Sequence, residues 1–392
     1  MIKEQEIKML ENKLNILSDI WINYFYSFPY FHNKVKFHEE ERTNYIGIIF
    51  RYLQDSFDVV FATPPNEFNS YVDKFTYQIA FLQSIYVQQD LIEELLRVFK
   101  TGIERDTLNK DSNYRINRKI RNELVGHPIS RNDDFSLRSS TTFGYEKAGN
   151  SIQYLKYEFP IESNVVQEVE ISDMISRHTA FLETYLNKLL EKSYPLLLKF
   201  KSEVLTPLTY LLKKNCPQDV IDFCTIHLKN EFEEHNEIML NQLIDLYENN
   251  SHPRYNYAFK LYWSYFINFA NDKMESIDEI LSKKSLLPKV QLNIKDTPKP
   301  LPIKFYKRNE KDNALVPFKR KNYNYELGKL NSKRNPIDFD FFSGLILQEN
   351  MDDQKVVDEI KHLQDNRNNI LEFSSGLSYL RHLLETKLKE TK

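Results

Sequence analysis

The sequence predicts a mainly helical protein with a small β element inserted into its first half. Glycine (8) and proline (15) are scarce among 392 residues, and a fold with many tight turns would need more of both. Several long stretches repeat apolar residues every three or four positions, whereas alternation of every second residue is confined to residues 139–159. We therefore expect long helices, few connections and one β-hairpin.

Residues 1–68 are predicted to form an N-terminal helical extension. Met9, Leu14 and Leu17 fall at helical spacing, and the aromatic cluster WINYFYSFPYF follows them. A Pro-Pro pair at residues 64 and 65 then breaks the pattern, and we place the end of the extension shortly after it.

Residues 69–198 are predicted to form a helical bundle that carries the hairpin. The strongest helical pattern runs from Tyr71 to Phe99, and Asp111 is a suitable start for the next helix. That helix ends in Gly-His-Pro at residues 126–128, and the hairpin 139–159 turns at residues 146–150. Helices are expected to resume near Val165, with a buried apolar stripe at Met174, Phe181, Tyr185, Leu186 and Leu189.

Residues 199–392 are predicted to form a second, mostly helical domain with a basic irregular segment at 299–335. That segment holds eleven Lys and Arg against three Asp and Glu, with aromatic residues between them. One interpretation is a track for nucleic acid, in which Lys319, Arg320 and Lys321 bind phosphates. The other is a loop that docks on the acidic stretch 231–248 of the same chain.

The bulk properties exclude several classes of protein. The net charge of −3 gives no general attraction to nucleic acid, so such binding must come from local patches. Two cysteines make neither a disulfide framework nor a four-cysteine zinc site. We expect a cytoplasmic protein with no membrane span, no metal and no cofactor, since nucleotide-binding glycine loops are also absent from the sequence.

Arg121 and His127 are the candidate catalytic residues. A histidine is suited to moving protons near neutral pH, and an arginine can hold a phosphate and stabilise the charge that builds on it. Together they suffice for metal-free cleavage of RNA, because the ribose 2′-hydroxyl supplies the nucleophile. Four basic residues close by are candidate RNA-binding groups: Arg115, Arg118, Lys119 and Arg131.

The spacing of these two residues raises a geometric problem. On an ideal helix, residues six positions apart point about 120° away from each other and lie about 9 Å apart along the axis. The helix could distort at the histidine, because Gly126 loosens the backbone and Pro128 disfavours helical angles at residue 127. Alternatively, two copies of the helix could meet across a two-fold axis and pool their groups.

The stretch "IRNELVGHP" resembles the signature of the HEPN superfamily, in which an arginine and a polar residue precede a histidine by four to six intervening positions. Arg121, Asn122 and His127 match it with five. The helices around residues 84–96 and 177–190 are similar to other bundle helices of bacterial members. The resemblance covers about residues 70–195, and the hairpin departs from the minimal bundle.

The resemblance implies a bundle that dimerises through the motif helices and, in many members, metal-independent ribonuclease activity. It would make Arg121 and His127 catalytic, with Asn122 orienting the site. We therefore expect a homodimeric RNA-cleaving enzyme that acts as a toxin or in phage defence, with an antitoxin or regulatory protein as a further partner. The alternative is an inert HEPN-like adaptor that dimerises and binds RNA or a partner protein.

Overall fold

The computed structural model describes residues 4–36, 45–145, 149–159, 163–228, 232, 238, 240–286, 322–331 and 336–390. Within these ranges the chain is mainly helical and carries a four-stranded antiparallel sheet, which confirms the predicted fold class at that level. Contacts divide the chain into two compact units, Met1–Glu203 and Val204–Lys392. None of the described helices is both long enough and apolar enough to cross a membrane.

The first unit is a helical bundle. Its helices are α1 (Glu4–Ile20), α2 (Pro29–His32), α3 (Tyr45–Phe61), α4 (Tyr71–Val98), α5 (Arg105–Lys110), α6 (Ser112–Arg121) and α7 (Ile171–Phe200). Short π-helical segments continue α1, α6 and α7, at Trp21–Tyr26, Asn122–Gly126 and Lys201–Leu205.

Helix α4 lies at the centre of this unit and packs against α3, α6 and α7. It begins at Ser70, whose side chain accepts a hydrogen bond from the Asp73 backbone N–H over 3.1 Å. Helix α1 packs on α3 and α7, so the N-terminal residues belong to the same compact unit as the bundle. The apolar stripe expected on α7 is buried at each of its five positions: Met174, Phe181, Tyr185, Leu186 and Leu189.

The predicted hairpin is part of a larger sheet. The strands are β1 (Ile129–Arg131), β2 (Leu137–Phe143), β3 (Ser151–Glu158) and β4 (Ser163–Glu170), hydrogen-bonded in the order β1-β2-β3-β4. The expectation that helices resume near Val165 was wrong, because Ser163–Glu170 pairs along the whole of β3 and α7 begins only at Ile171.

In this strand register, one face of the sheet packs against the helices. Phe143, Ile152 and Tyr154 are buried in one cluster with apolar residues of α4 and α6. Two residues further along each strand, Thr141 pairs with Lys156. Because strand residues two apart share a face, this polar pair continues the same face beyond the apolar cluster.

The second unit is also helical. Its helices are α8 (Thr206–Lys214), α9 (Pro217–His227), α10 (Gln242–Glu248), α11 (Pro253–Leu286), α12 (Asn324–Asn331), α13 (Pro336–Asn350), α14 (Gln354–Asp365) and α15 (Ile370–Glu390). The prediction of an irregular segment at 299–335 is wrong for Asn324–Asn331, because these residues form α12. Leu327 and Leu330 of α12 are buried in a core with Phe373 and Leu380. Two predicted features lie wholly or partly outside the described residues. These are the basic residues Lys319, Arg320 and Lys321, and residues 231, 233–237 and 239 of the acidic stretch 231–248.

Candidate functional site

The end of α6 sets the position of His127. The helix widens into a π-turn over Asn122–Gly126, and the His127 N–H donates to the Asn122 carbonyl oxygen over 2.6 Å. His127 itself has left the helix, with φ −140° and ψ 66°, as a residue before proline is expected to do. Its side chain is exposed. Turns of this kind recur at functional sites in proteins.

Arg121 lies in a packed polar environment inside the first unit. Its Nε and Nη2 atoms donate to Gln83 Oε1 over 3.1 and 2.9 Å, and Nη1 donates to Asn122 Oδ1 over 3.0 Å. The guanidinium carbon lies 3.8 Å from the centre of the Tyr86 ring. A Cβ atom on Gly126 would come within 2.7 Å of Nη1, so glycine at this position makes room for the arginine.

A cleft of about 670 Å³ opens beside the end of α6, and we call it the basic cleft. Six Lys and Arg residues line it against two glutamates, Glu123 and Glu158. The cations are Arg105, Arg115, Arg118, Lys119, Arg138 and Lys156. Asn122 and His127 also line the cleft, whereas Arg121 is not among its described lining residues.

The sheet supplies one wall of the basic cleft. Lys156 on β3 bonds Glu158 Oε1 over 2.6 Å and Glu123 Oε1 over 3.0 Å. Burial lowers the pKa of Lys156, but the hydrogen bonds that Lys156 donates to these two glutamates, together with their charges, outweigh burial and leave the pKa raised. Thr141, which pairs with Lys156 across the sheet, donates through its hydroxyl to the Glu123 carbonyl oxygen. The β-sheet and the π-turn are thereby held together.

The candidate residues from the sequence separate into three groups. Arg115, Arg118 and Lys119 line the basic cleft together with Asn122 and His127. Arg131, the last residue of β1, is exposed and donates through Nη1 to the Phe135 carbonyl oxygen over 2.8 Å, and it is not among the described lining residues. Lys319, Arg320 and Lys321 lie outside the residues that the structure describes.

Three of the six cations that line the cleft were missed from the sequence: Arg105, Arg138 and Lys156. Lys156 could have been found, since the alternation within the predicted hairpin fixes which residues share a face with buried Tyr154. Arg105 and Arg138 carry no comparable signal. Arg105 is the first residue of α5 and Arg138 lies near the start of β2, just outside the predicted hairpin, so only the packing of these elements brings them to the cleft.

Within the described ranges, no group of three His, Cys, Asp or Glu side chains lies close enough to hold a metal ion. Comparison with protein-family models, with curated proteins and with solved structures finds no match to this chain.

Proposed function

We propose that the protein is a metal-independent endoribonuclease of the HEPN type, which cleaves single-stranded RNA in the basic cleft. The observation that supports this most is the exposed His127 imidazole in a cleft lined by six Lys and Arg side chains. The cations attract the phosphates of a strand, and the imidazole places a proton acceptor beside them.

In the proposed reaction, the His127 imidazole takes the proton of a ribose 2′-hydroxyl. The 2′ oxygen attacks the adjacent phosphorus, the bond to the 5′ oxygen of the next nucleotide breaks, and that oxygen takes a proton from water. The products are a 2′,3′-cyclic phosphate and a 5′-hydroxyl. The RNA supplies its own nucleophile, so the reaction uses neither a metal ion nor a cofactor.

In the proposed reaction, Arg121 acts in the active site of a second copy of the chain. Within one chain, three of its five N–H donors bond to Gln83 and Asn122. We expect two copies to pair through α6 and its π-turn, so that Arg121 of one copy reaches the phosphate beside His127 of the other. A guanidinium there would stabilise the charge that develops on the phosphate.

The expected biological setting follows from the HEPN resemblance. An RNA-cleaving enzyme of this type must be restrained in its host cell, so we expect a toxin or phage-defence role and an antitoxin or regulatory protein as a second partner. RNA and a second copy of the chain are the partners that the proposed reaction uses.

The second candidate function is an inert adaptor that binds RNA or a partner protein without cleaving RNA. The surroundings of Arg121 favour this candidate, because Gln83, Asn122 and the Tyr86 ring hold its guanidinium as a structural arginine would be held. In the adaptor, His127 would only end the helix, and the cations of the cleft would only bind.

Variants separate the two functions. Wild type, Arg121→Ala and His127→Ala are expressed and compared for growth arrest, and the purified proteins are incubated with total RNA in EDTA. His32→Ala is the matched control, since it removes a histidine of the same unit that is not among the described lining residues of the cleft. We expect wild type and the control to arrest growth and cleave RNA, and the other two to do neither. If wild type, Arg121→Ala and His127→Ala all leave RNA intact and growth unchanged, the adaptor is favoured.

A further inference from the structure

The basic cleft adjoins a second cleft in the first unit. This second cleft has a volume of about 800 Å³, and five Lys and Arg residues and four acidic residues line it together with Tyr86. Arg105 and Arg118 line both clefts. The two clefts therefore meet at these two arginines and form a groove that extends beyond His127.

Arg118 is held rigidly at this junction. The residue is 8% exposed, its Nη2 atom lies 2.8 Å from Asp90 Oδ1, and its guanidinium carbon lies 4.1 Å from the centre of the Tyr86 ring. Tyr114 lies on it as well, at 5.1 Å. Aromatic rings and one carboxylate thus fix the plane of the cation, so little conformational entropy is lost when it binds an anion.

Arg118 also has a hydrogen-bond donor that is not satisfied. Its Nη1 atom is buried and has no partner among the described residues. A buried donor on a charged group is costly to leave without an acceptor, so an anion that supplies one would be bound favourably. Arg105 beside it is more accessible, because its side chain is 60% exposed and its Nε atom lies 3.8 Å from Glu93 Oε1.

We infer that Arg118 and Arg105 form a subsite for a phosphate of the RNA strand other than the phosphate that is cleaved. Nine residues separate Arg118 from His127 along α6 and its π-turn, which at about 1.5 Å per residue places their backbones about 13 Å apart. The substrate is therefore an extended single strand that runs from the basic cleft into the second cleft. This inference rests on the proposed binding of RNA in the basic cleft.

Binding of a fluorescent 2′-O-methyl RNA strand tests the subsite without cleavage, because this probe has no 2′-hydroxyl. We expect Arg118→Gln and Arg105→Gln each to weaken binding, Arg118→Gln by about tenfold. Each should also reduce the slope of log affinity against log salt by about 0.7, the value for one phosphate contact with a single strand. Arg51→Gln is the matched control and should bind like wild type, because Arg51 is an exposed arginine on α3 that is not among the described lining residues of either cleft.

Asp90→Asn is expected to change the affinity for the RNA probe in the opposite direction. It removes the carboxylate that competes for Arg118, so binding should tighten severalfold. If Arg118→Gln fails to fold, Arg105→Gln and Asp90→Asn decide the question. If Arg105→Gln and Asp90→Asn both bind with the affinity and salt slope of Arg51→Gln, the subsite is overturned. Arg118-dependent binding of the probe, together with a wild type that leaves unmodified RNA intact, would support the subsite and contradict the proposed cleavage.

Discussion

The basic cleft of the first unit and a buried network of the second unit use the same residue types in opposite ways. In the network, Arg254 donates through Nη2 to Glu359 Oε2 over 3.1 Å and through Nη1 to His362 Nδ1 over 2.8 Å. His362 Nε2 in turn lies 3.3 Å from Glu372 Oε2. In the cleft, six cations face two glutamates and the histidine is exposed.

The difference shows what separates a structural cluster from a candidate site. Glu359 and Arg254 are 1% and 8% exposed, and the two groups neutralise each other. Burial raises the pKa of Glu359 to about 7, although the charge of Arg254 lowers it. Arginine, histidine and glutamate in one place therefore predict chemistry only where solvent can reach them and where the charges are not balanced within the chain.

Removal of Glu359 should give the largest effect on stability. Glu359→Ala leaves the Arg254 guanidinium buried without its carboxylate, and we expect a loss of about 3–5 kcal/mol in the free energy of unfolding. Urea unfolding measures this loss. Asp358→Ala, one residue away and exposed, is the matched control and should change stability by less than about 0.5 kcal/mol. Equal losses in the two variants would mean that the network does not stabilise the second unit.

His178 should make stability depend on pH, in contrast to the exposed His127. Its ring is fully buried between Phe61 and Phe181, its Nε2 atom lies 2.7 Å from Gln88 Oε1, and burial lowers its pKa to about 3. Between pH 6.5 and 3 the unfolded chain takes up a proton that the folded chain does not. Stability should therefore fall as the pH falls through this range, by up to about 1.4 kcal/mol per pH unit.

The pH dependence is measured by urea unfolding at several pH values. His178→Leu should unfold with a shallower dependence on pH, whereas His32→Ala should keep the slope of wild type. The same slope in His178→Leu and wild type would show that His178 does not carry the effect.

Gly126→Ala should give a smaller effect, on activity rather than on stability. The added Cβ would come within 2.7 Å of Arg121 Nη1, so the guanidinium must shift away from Asn122. We expect RNA cleavage to fall about tenfold, the effect of about 1.4 kcal/mol on a barrier. Gly328→Ala is the matched control, because a Cβ there meets nothing within 4 Å. Unchanged cleavage in Gly126→Ala would show that the reaction does not depend on the position of Arg121.

The sequence predicted the helices better than the sheet. Helical periodicity is local, so the buried residues of α7, such as Met174 and Leu189, could be named in advance. Strand β4 could not, because Ser163–Glu170 is mostly exposed and its strand conformation depends on pairing with β3. An edge strand of this kind lacks the alternation of buried and exposed residues that identifies a strand.

The candidate site was predicted in part for a related reason. The turn at Gly126, His127 and Pro128 follows from local backbone preferences, and His127 is exposed beside the cations of α6. The partners of Arg121 do not follow from the sequence, since Gln83 and Tyr86 approach it from another helix. The face of Lys156 follows from the alternation along the predicted hairpin, but its contact with Glu123 depends on how the sheet packs on the π-turn.

Product analysis on a matched pair of strands tests the proposed chemistry most directly. An RNA strand and its 2′-O-methyl analogue are incubated in EDTA with wild type and His127→Ala, and the ends of the products are identified by mass spectrometry. We predict that wild type cuts only the RNA, leaving cyclic phosphate and 5′-hydroxyl ends, and that His127→Ala binds both strands and cuts neither. Cleavage of the 2′-O-methyl strand, or cleavage that requires a divalent ion, would contradict the proposed use of the ribose hydroxyl and His127.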